Sequence, residues 1–78
     1  MIFNLFKKKK KTIQLKDLYG NSLSVGDRVE SLRYDLGICT LIDTEKGFEY
    51  ESESSGQKVS YAKMIDAATT LQKVKKIS

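Results

Sequence analysis

The chain has no histidine, no tryptophan, no proline and a single cysteine among its 78 residues. Without histidine, and with one thiol, the usual zinc and transition-metal ligand sets cannot be assembled within one chain, and no cofactor is expected. Cys39 has no partner, which excludes a disulfide framework and makes a reducing, cytoplasmic setting the natural compartment. Long apolar runs are missing as well. The opening stretch Met1–Phe6 is shorter than a signal-peptide core and is followed, not preceded, by its charges. A membrane-spanning helix needs about 20 apolar residues, which this chain nowhere supplies.

These absences leave little for catalysis. Cys39 falls between Ile38 and Thr40, with no histidine to lower its pKa, and reads as a small apolar side chain in a strand. Asp43, Glu45, Glu49, Glu51 and Glu53 read as a solvated strand face. Asp43-x-Glu45-x-Gly47 lacks the later ligands of a calcium loop. No enzymatic activity is expected.

What is present is divided by charge. Residues 1–16 hold Lys7, Lys8, Lys9, Lys10, Lys11 and Lys16 with no acid, whereas residues 17–78 hold eight basic and ten acidic side chains. The net charge of +4 therefore belongs to the N-terminal segment, attached to a mildly acidic body. An acidic body is a poor electrostatic match for nucleic acid. Residues 1–11 read as a flexible apolar–basic tail and residues 12–78 as one small domain, with five adjacent lysines opposing stable structure.

Within the body, period-two patterning dominates. Thr12–Leu15 alternates as a short strand, and residues 17–22 form a turn cluster. A strand is expected from Gly26–Asp27 to about Leu32, with Val29 inward. After the turn Tyr34–Gly37, Ile38, Thr40 and Ile42 face one side of a strand and Cys39 and Leu41 the other. Residues 43–47 connect to Phe48–Glu53, where Phe48 and Tyr50 point inward and Glu49, Glu51 and Glu53 outward. Ser54–Gln57 turns the chain into Lys58–Tyr61, with Val59 and Tyr61 on one face. Met64, Ile65, Ala68 and Leu71 fall at helical spacing, which predicts one or two helical turns within 62–71. Residues 72–77 read as a last strand with Val74 inward.

This order of elements is that of an all-β, five-stranded SH3-like barrel with a short helical turn before its last strand. Gly26-Asp27-x-Val29, the aromatic Tyr34, and Gly37 leading into an aliphatic strand resemble the small Tudor-like and KOW-like barrels of bacteria. Among these are the C-terminal barrel of DNA-repair helicases and the polymerase-binding module of CarD-type regulators. The resemblance covers roughly residues 24–77 and implies a non-catalytic module working through a protein partner, within nucleic-acid transactions. Where such barrels carry aromatic-Gly-x-Gly, this chain has Tyr34-Asp35-Leu36-Gly37, and Asp35 must take the left-handed backbone that glycine would.

The expected partner contacts are Arg33, Tyr34, Glu49, Tyr50 and Glu51. Tyr34 stands on a loop with no strand forcing it inward, and the glutamates form an acidic ladder. Aromatics at comparable places in Tudor-like barrels can form a cage for a cation, although Phe48, Tyr50 and Tyr61 fall on inward positions suited to core packing. Two alternatives rest on basic residues. In the first, Ile2, Phe3, Leu5 and Phe6 enter an anionic membrane interface while Lys7–Lys11 meet the headgroups, each worth about 1 kcal/mol. In the second, nucleic acid is bound by the tail or by Arg28, Arg33, Lys73, Lys75 and Lys76 converging on one face.

Overall fold

The computed structural model describes residues 14–77. The expected tail 1–11 lies outside them. Seven strands form two antiparallel sheets: β1 (Leu15–Lys16) and β2 (Ser22–Leu23) pair as a small hairpin, and β3 (Arg28–Ser31), β4 (Ile38–Thr44), β5 (Gly47–Ser52), β6 (Lys58–Ser60) and β7 (Val74–Lys76) form the larger sheet in the order β6-β5-β4-β3-β7. Four strands follow one another as a meander, and the last returns beside the first of them. No helix of the described residues is long and apolar enough to cross a membrane.

The register explains the burial. Leu41 pairs with Tyr50 and Tyr50 with Val59, while Val29 pairs with Cys39 and Ser31 with Val74. Alternate residues thus share one face, and Val29, Cys39, Leu41, Tyr50, Val59 and Val74 make it the core side. Leu15 and Leu23 from the hairpin, Leu36 from the β3–β4 loop and Met64 cover it. Phe48 and Tyr61 close its margin edge to face, with ring centroids 6.2 Å apart. The opposite face is solvated, as is common for antiparallel sheets.

Several expectations are corrected in detail. The 17–22 turn cluster yields a strand at its end, because Ser22–Leu23 pairs back onto Leu15–Lys16. The β4–β5 connection is shorter than the five residues expected. Thr44 pairs with Gly47, Thr44 Oγ1 accepts from Lys46 N at 3.0 Å, and Gly47 takes φ 105°.

The helical stripe over 62–71 does not form. A 3-10 turn spans Tyr61–Met64, capped by Ser60 Oγ. The chain then turns tightly: Asp66 Oδ1 accepts from Ala68 N, Asp66 Oδ2 from Thr69 Oγ1, and Asp66 O from Thr70 N. A short polar side chain that bonds its own downstream backbone competes with helix, and so short a helix has little stability to oppose it. Met64 is buried, while Ile65 and Ala68 are exposed.

The sheet is not joined into a closed ladder, since among the described residues β6 and β7 do not pair. Their connection comes close through Met64 O accepting from Lys73 N at 2.7 Å and an isolated bridge between Ile65 and Gln72. The hairpin flanks the outer edge of β7, where Lys16 O accepts from Gln72 N and Leu18 N donates to Val74 O. Asp17 fastens it. This fully buried carboxylate accepts from Tyr19 N and Asn21 N at one oxygen, and from Asn21 Nδ2 and Lys76 N at the other.

Candidate functional site

The loop from Leu32 to Gly37 is the most constrained exposed feature of the described chain. Tyr34 and Asp35 both adopt left-handed backbone, with φ 64° and 54°. Two successive positive φ values are the pattern of turns that favour Asn-Gly, and each L-residue held there costs roughly 1–2 kcal/mol, less for aspartate. The loop is pinned from several directions. Leu36 is buried, and Ser52 Oγ donates to Leu36 O at 2.8 Å. Ser31 N donates to Gly37 O at 2.8 Å, and Ser31 Oγ to Arg33 O at 2.6 Å. The Arg33 guanidinium donates to Lys63 O at 2.7 Å, and Tyr34 Oη lies 3.4 Å from the same carbonyl.

These contacts set a tip built from two segments, 32–35 and 63–66. Its surface carries Leu32, Tyr34 and Ile65, exposed by 44%, 51% and 38% respectively. Asp66 feels the positive charges of Lys73 and Arg33. Bonds from Ala68 N and Thr69 Oγ1, ahead of those charges, hold its carboxyl below the ordinary range. Tyr34 is thus held outward in an unfavourable backbone conformation, with its hydroxyl against the Lys63 carbonyl.

The five expected contact residues are not brought together. Arg33 and Tyr34 stand on the tip. Glu49 and Glu51 lie on the outer face of the sheet, opposite Ile42 and Thr40. Tyr50, expected with them as a contact, is fully buried: its register places it on the core side, its ring is enclosed, and its hydroxyl donates to Gln72 Oε1 at 2.7 Å. Burial, with the neighbouring Cys39 adding to it, pushes the Tyr50 phenol up, and burial does the same to the Cys39 thiol. Tyr50 cannot touch a partner of the folded domain.

Cross-strand cations largely neutralise the acidic ladder. Glu53 accepts two bonds from Arg28, at 2.7 and 3.1 Å, and Glu51 lies 3.7 Å from Lys58. The Arg28 bond, ahead of burial, which acts the other way, lowers the Glu53 carboxyl, and the same bond raises the Arg28 guanidinium. Glu49 alone of the three has no ion-pair partner among the described residues. The five bases considered for nucleic acid do not share a face. Arg28 and Lys75 project from the outer face and pair with Glu53 and Glu30, Lys76 pairs with Asp27, and Arg33 and Lys73 belong to the tip end.

Sequence reasoning missed Leu32 and Ile65 as surface residues. Leu32 carried a readable sign, since it is out of phase with the inward positions Val29 and Ser31. Ile65 carried none, because its helical spacing with Met64 and Ala68 pointed to a core stripe. The domain is small and antiparallel, and the loop at its tip carries a strained, exposed aromatic. Comparison with protein-family models, curated proteins and solved structures finds no match to this chain.

The strain at Asp35 is testable by itself. Its side chain makes no hydrogen bond or ion pair among the described residues, and a Cβ-free residue takes φ 54° without penalty. Asp35→Gly is expected to stabilise the domain by about 0.5–1 kcal/mol, after the greater freedom of glycine in the unfolded chain is set against the relieved strain. Thermal unfolding reads this as a rise of roughly 2–8 °C. A fall in melting temperature would show that the left-handed backbone is not strained.

Proposed function

We propose that the chain is a non-catalytic binding module whose contact surface is the tip formed by Leu32–Asp35 and Lys63–Asp66. The observation that carries this reading is Tyr34, held exposed at φ 64° by bonds that converge on the loop from Ser31, Ser52 and Lys63. The finer fold assignment proposed with it is an SH3-like barrel similar to Tudor-like and KOW-like domains. Three features support it: the strand order of the larger sheet, in which the last strand pairs with the first of the meander; the 3-10 turn after the fourth; and the approach of the two edges through Lys73 and Met64. A protein partner is the first expectation for such a module. Glu49 and Glu51 lie on a separate surface from Arg33 and Tyr34, so any partner of the tip meets Arg33 and Tyr34 without the glutamates.

Tyr34→Gly separates function from stability. It is expected to leave the melting temperature unchanged or slightly raised, because it removes a strained side chain, while abolishing contact at the tip. Contact is read by photocrosslinking the full chain in cells from a reactive residue at position 34, or at position 65 in the Tyr34→Gly variant, with position 45 on the β4–β5 turn as control. Crosslinks from 45 and none from 34 would show that the tip is not the contact surface.

A further inference from the structure

The larger sheet ends on β6, whose outer edge pairs with no strand of the described residues. The ladder fixes which backbone groups face that edge. Glu53 N donates to Ile38 O and Ser52 N to Gln57 O, both at 2.8 Å. Bonding sides alternate along a strand, so odd-numbered residues of β5 bond to β4 and even-numbered ones to β6. Tyr50 pairs with Val59, which therefore directs its N–H and carbonyl into the sheet, while Lys58 and Ser60 direct theirs outward. The Ser60 carbonyl opens the 3-10 turn that follows. Lys58 N, Lys58 O and Ser60 N have no hydrogen-bond partner among the described residues.

The outer face adds a second pattern. Rows across the sheet read Thr40, Glu51, Lys58 and then Ile42, Glu49, Ser60. Lys58 lies 3.7 Å from Glu51. Glu49 has no ion-pair partner among the described residues, and only the small Ser60 stands between it and the open edge. The sheet thus ends with an acid unpaired and a ladder unfinished at the same place.

We propose that β6 is a self-pairing edge, at which two copies of the chain meet antiparallel about Val59 and join their sheets. In that register Lys58 of each copy lies opposite Ser60 of the other. Ser60 N donates to the partner's Lys58 O in both directions, and Lys58 N reaches the second lone pair of the partner's Ser60 O. Glu49 and the partner's Lys58 are then two strands apart, about 10 Å at the backbone. An extended lysine and glutamate close that gap over Ser60. Each Lys58 is held between its own Glu51 and the other copy's Glu49. A lysine on an open edge ordinarily discourages pairing, but acids on both sides reverse its effect. One short segment supplies both halves of the match, as a two-fold axis requires. Pairing of three-residue strands falls below the roughly 1,200 Å2 of a stable complex, so the association is weak and reversible. This edge is a different surface from the Leu32–Asp35 tip, and the inference does not depend on what the tip meets.

The test is amide hydrogen exchange of the full-length protein, read by NMR in dilute solution and at about millimolar concentration. Lys58 and Ser60 N–H are expected to exchange roughly twofold or more slowly at the higher concentration, the factor for half of the chains being paired. Val59 N–H, bonded within the sheet in either state, is expected to change little. Sedimentation equilibrium reads the mass in parallel. Ser60 has φ −62° and ψ 143°, which suit proline, and Ser60→Pro removes the edge N–H without strain. It is expected to abolish the concentration dependence. Ser60→Ala, which loses the same Oγ cap on Ala62 N but keeps the edge N–H, is expected to associate like the native chain. Glu49→Gln removes two exposed pairs per dimer and is expected to weaken association by roughly two- to thirtyfold. Circular dichroism confirms that each variant is folded.

Association that persists in Ser60→Pro would overturn the proposal by placing the contact elsewhere. Fast exchange of Lys58 and Ser60 at both concentrations would overturn it by leaving the edge open. Slow exchange at both would overturn it by showing the edge covered within one chain. Glu49→Gln associating as tightly as the native chain would remove the charge match on which the choice of a second copy stands.

Discussion

Replacing Tyr50 by alanine is expected to leave the domain largely unfolded. Tyr50 is the largest fully buried side chain, paired with Leu41 on one side and Val59 on the other. Truncating a core aromatic to alanine costs about 3–5 kcal/mol, and a folded unit of this size has roughly 3–10 kcal/mol in total. The hydroxyl adds a separable part. Tyr50→Phe keeps the ring but leaves Gln72 Oε1 buried without its donor, a cost of about 1–3 kcal/mol. Removing both polar groups, as in Tyr50→Phe/Gln72→Met, is expected to recover most of that loss, because neither partner is then orphaned. Urea unfolding of the variants gives the comparison. A Tyr50→Ala protein that lost under 1 kcal/mol would show that the ring is not enclosed.

Asp17→Ala comes second in size, at about 2–4 kcal/mol, because it strips a buried acceptor from the backbone donors of Tyr19, Asn21 and Lys76. Its effect should begin locally. Asp17 fastens the β1–β2 hairpin to β7, so hydrogen exchange is expected to accelerate first at Leu15, Leu23 and Lys76. Burial by itself would raise the Asp17 carboxyl. The Lys76 N–H, the backbone and side-chain donors of Asn21, and the Tyr19 N–H outweigh it and hold the group below its ordinary value. A carboxylate depressed in the folded state contributes stability that is complete above the unfolded-state pKa of about 4 and lost as pH falls through the lower folded-state value. Native protein is thus expected to lose this contribution only below about pH 4, and Asp17→Asn to lack that part of the acid slope. Equal slopes for both would show that the Asp17 carboxyl titrates alike in the folded and unfolded chain.

Much of the sheet was legible residue by residue. Phe48-Glu49-Tyr50-Glu51 announced its faces, because alternation in a strand is a local property that needs no knowledge of the neighbour. Val29, Val59 and Val74 were assigned inward and are inward. The left-handed geometry expected of Asp35 is present, with Tyr34 sharing it. The expected helical turn is present only as the 3-10 turn Tyr61–Met64, and the rest of 62–71 was misread because helical spacing of apolar residues carries no record of what Asp66 does to its own backbone. Tyr50 was placed on the inward register and also counted among the contacts, and these two readings could not both hold once β4 and β6 enclosed it.

By itself, the sequence determined the alternation of the longer strands, the separation of a lysine-rich segment from an acidic body, and the scarcity of metal-ligating and nucleophilic side chains. Each follows from residue type and spacing along the chain. Only the tertiary structure decided which residues meet across it. It set the bond from Lys76 N to Asp17, 59 positions away, the burial of the Tyr50 hydroxyl against Gln72, and the neutralisation of Glu51 and Glu53 by Lys58 and Arg28. It also brought the Arg33 guanidinium to the Lys63 carbonyl, 30 positions along the chain. Strand pairing creates such meetings, because register joins segments whose separation along the chain leaves no periodic trace.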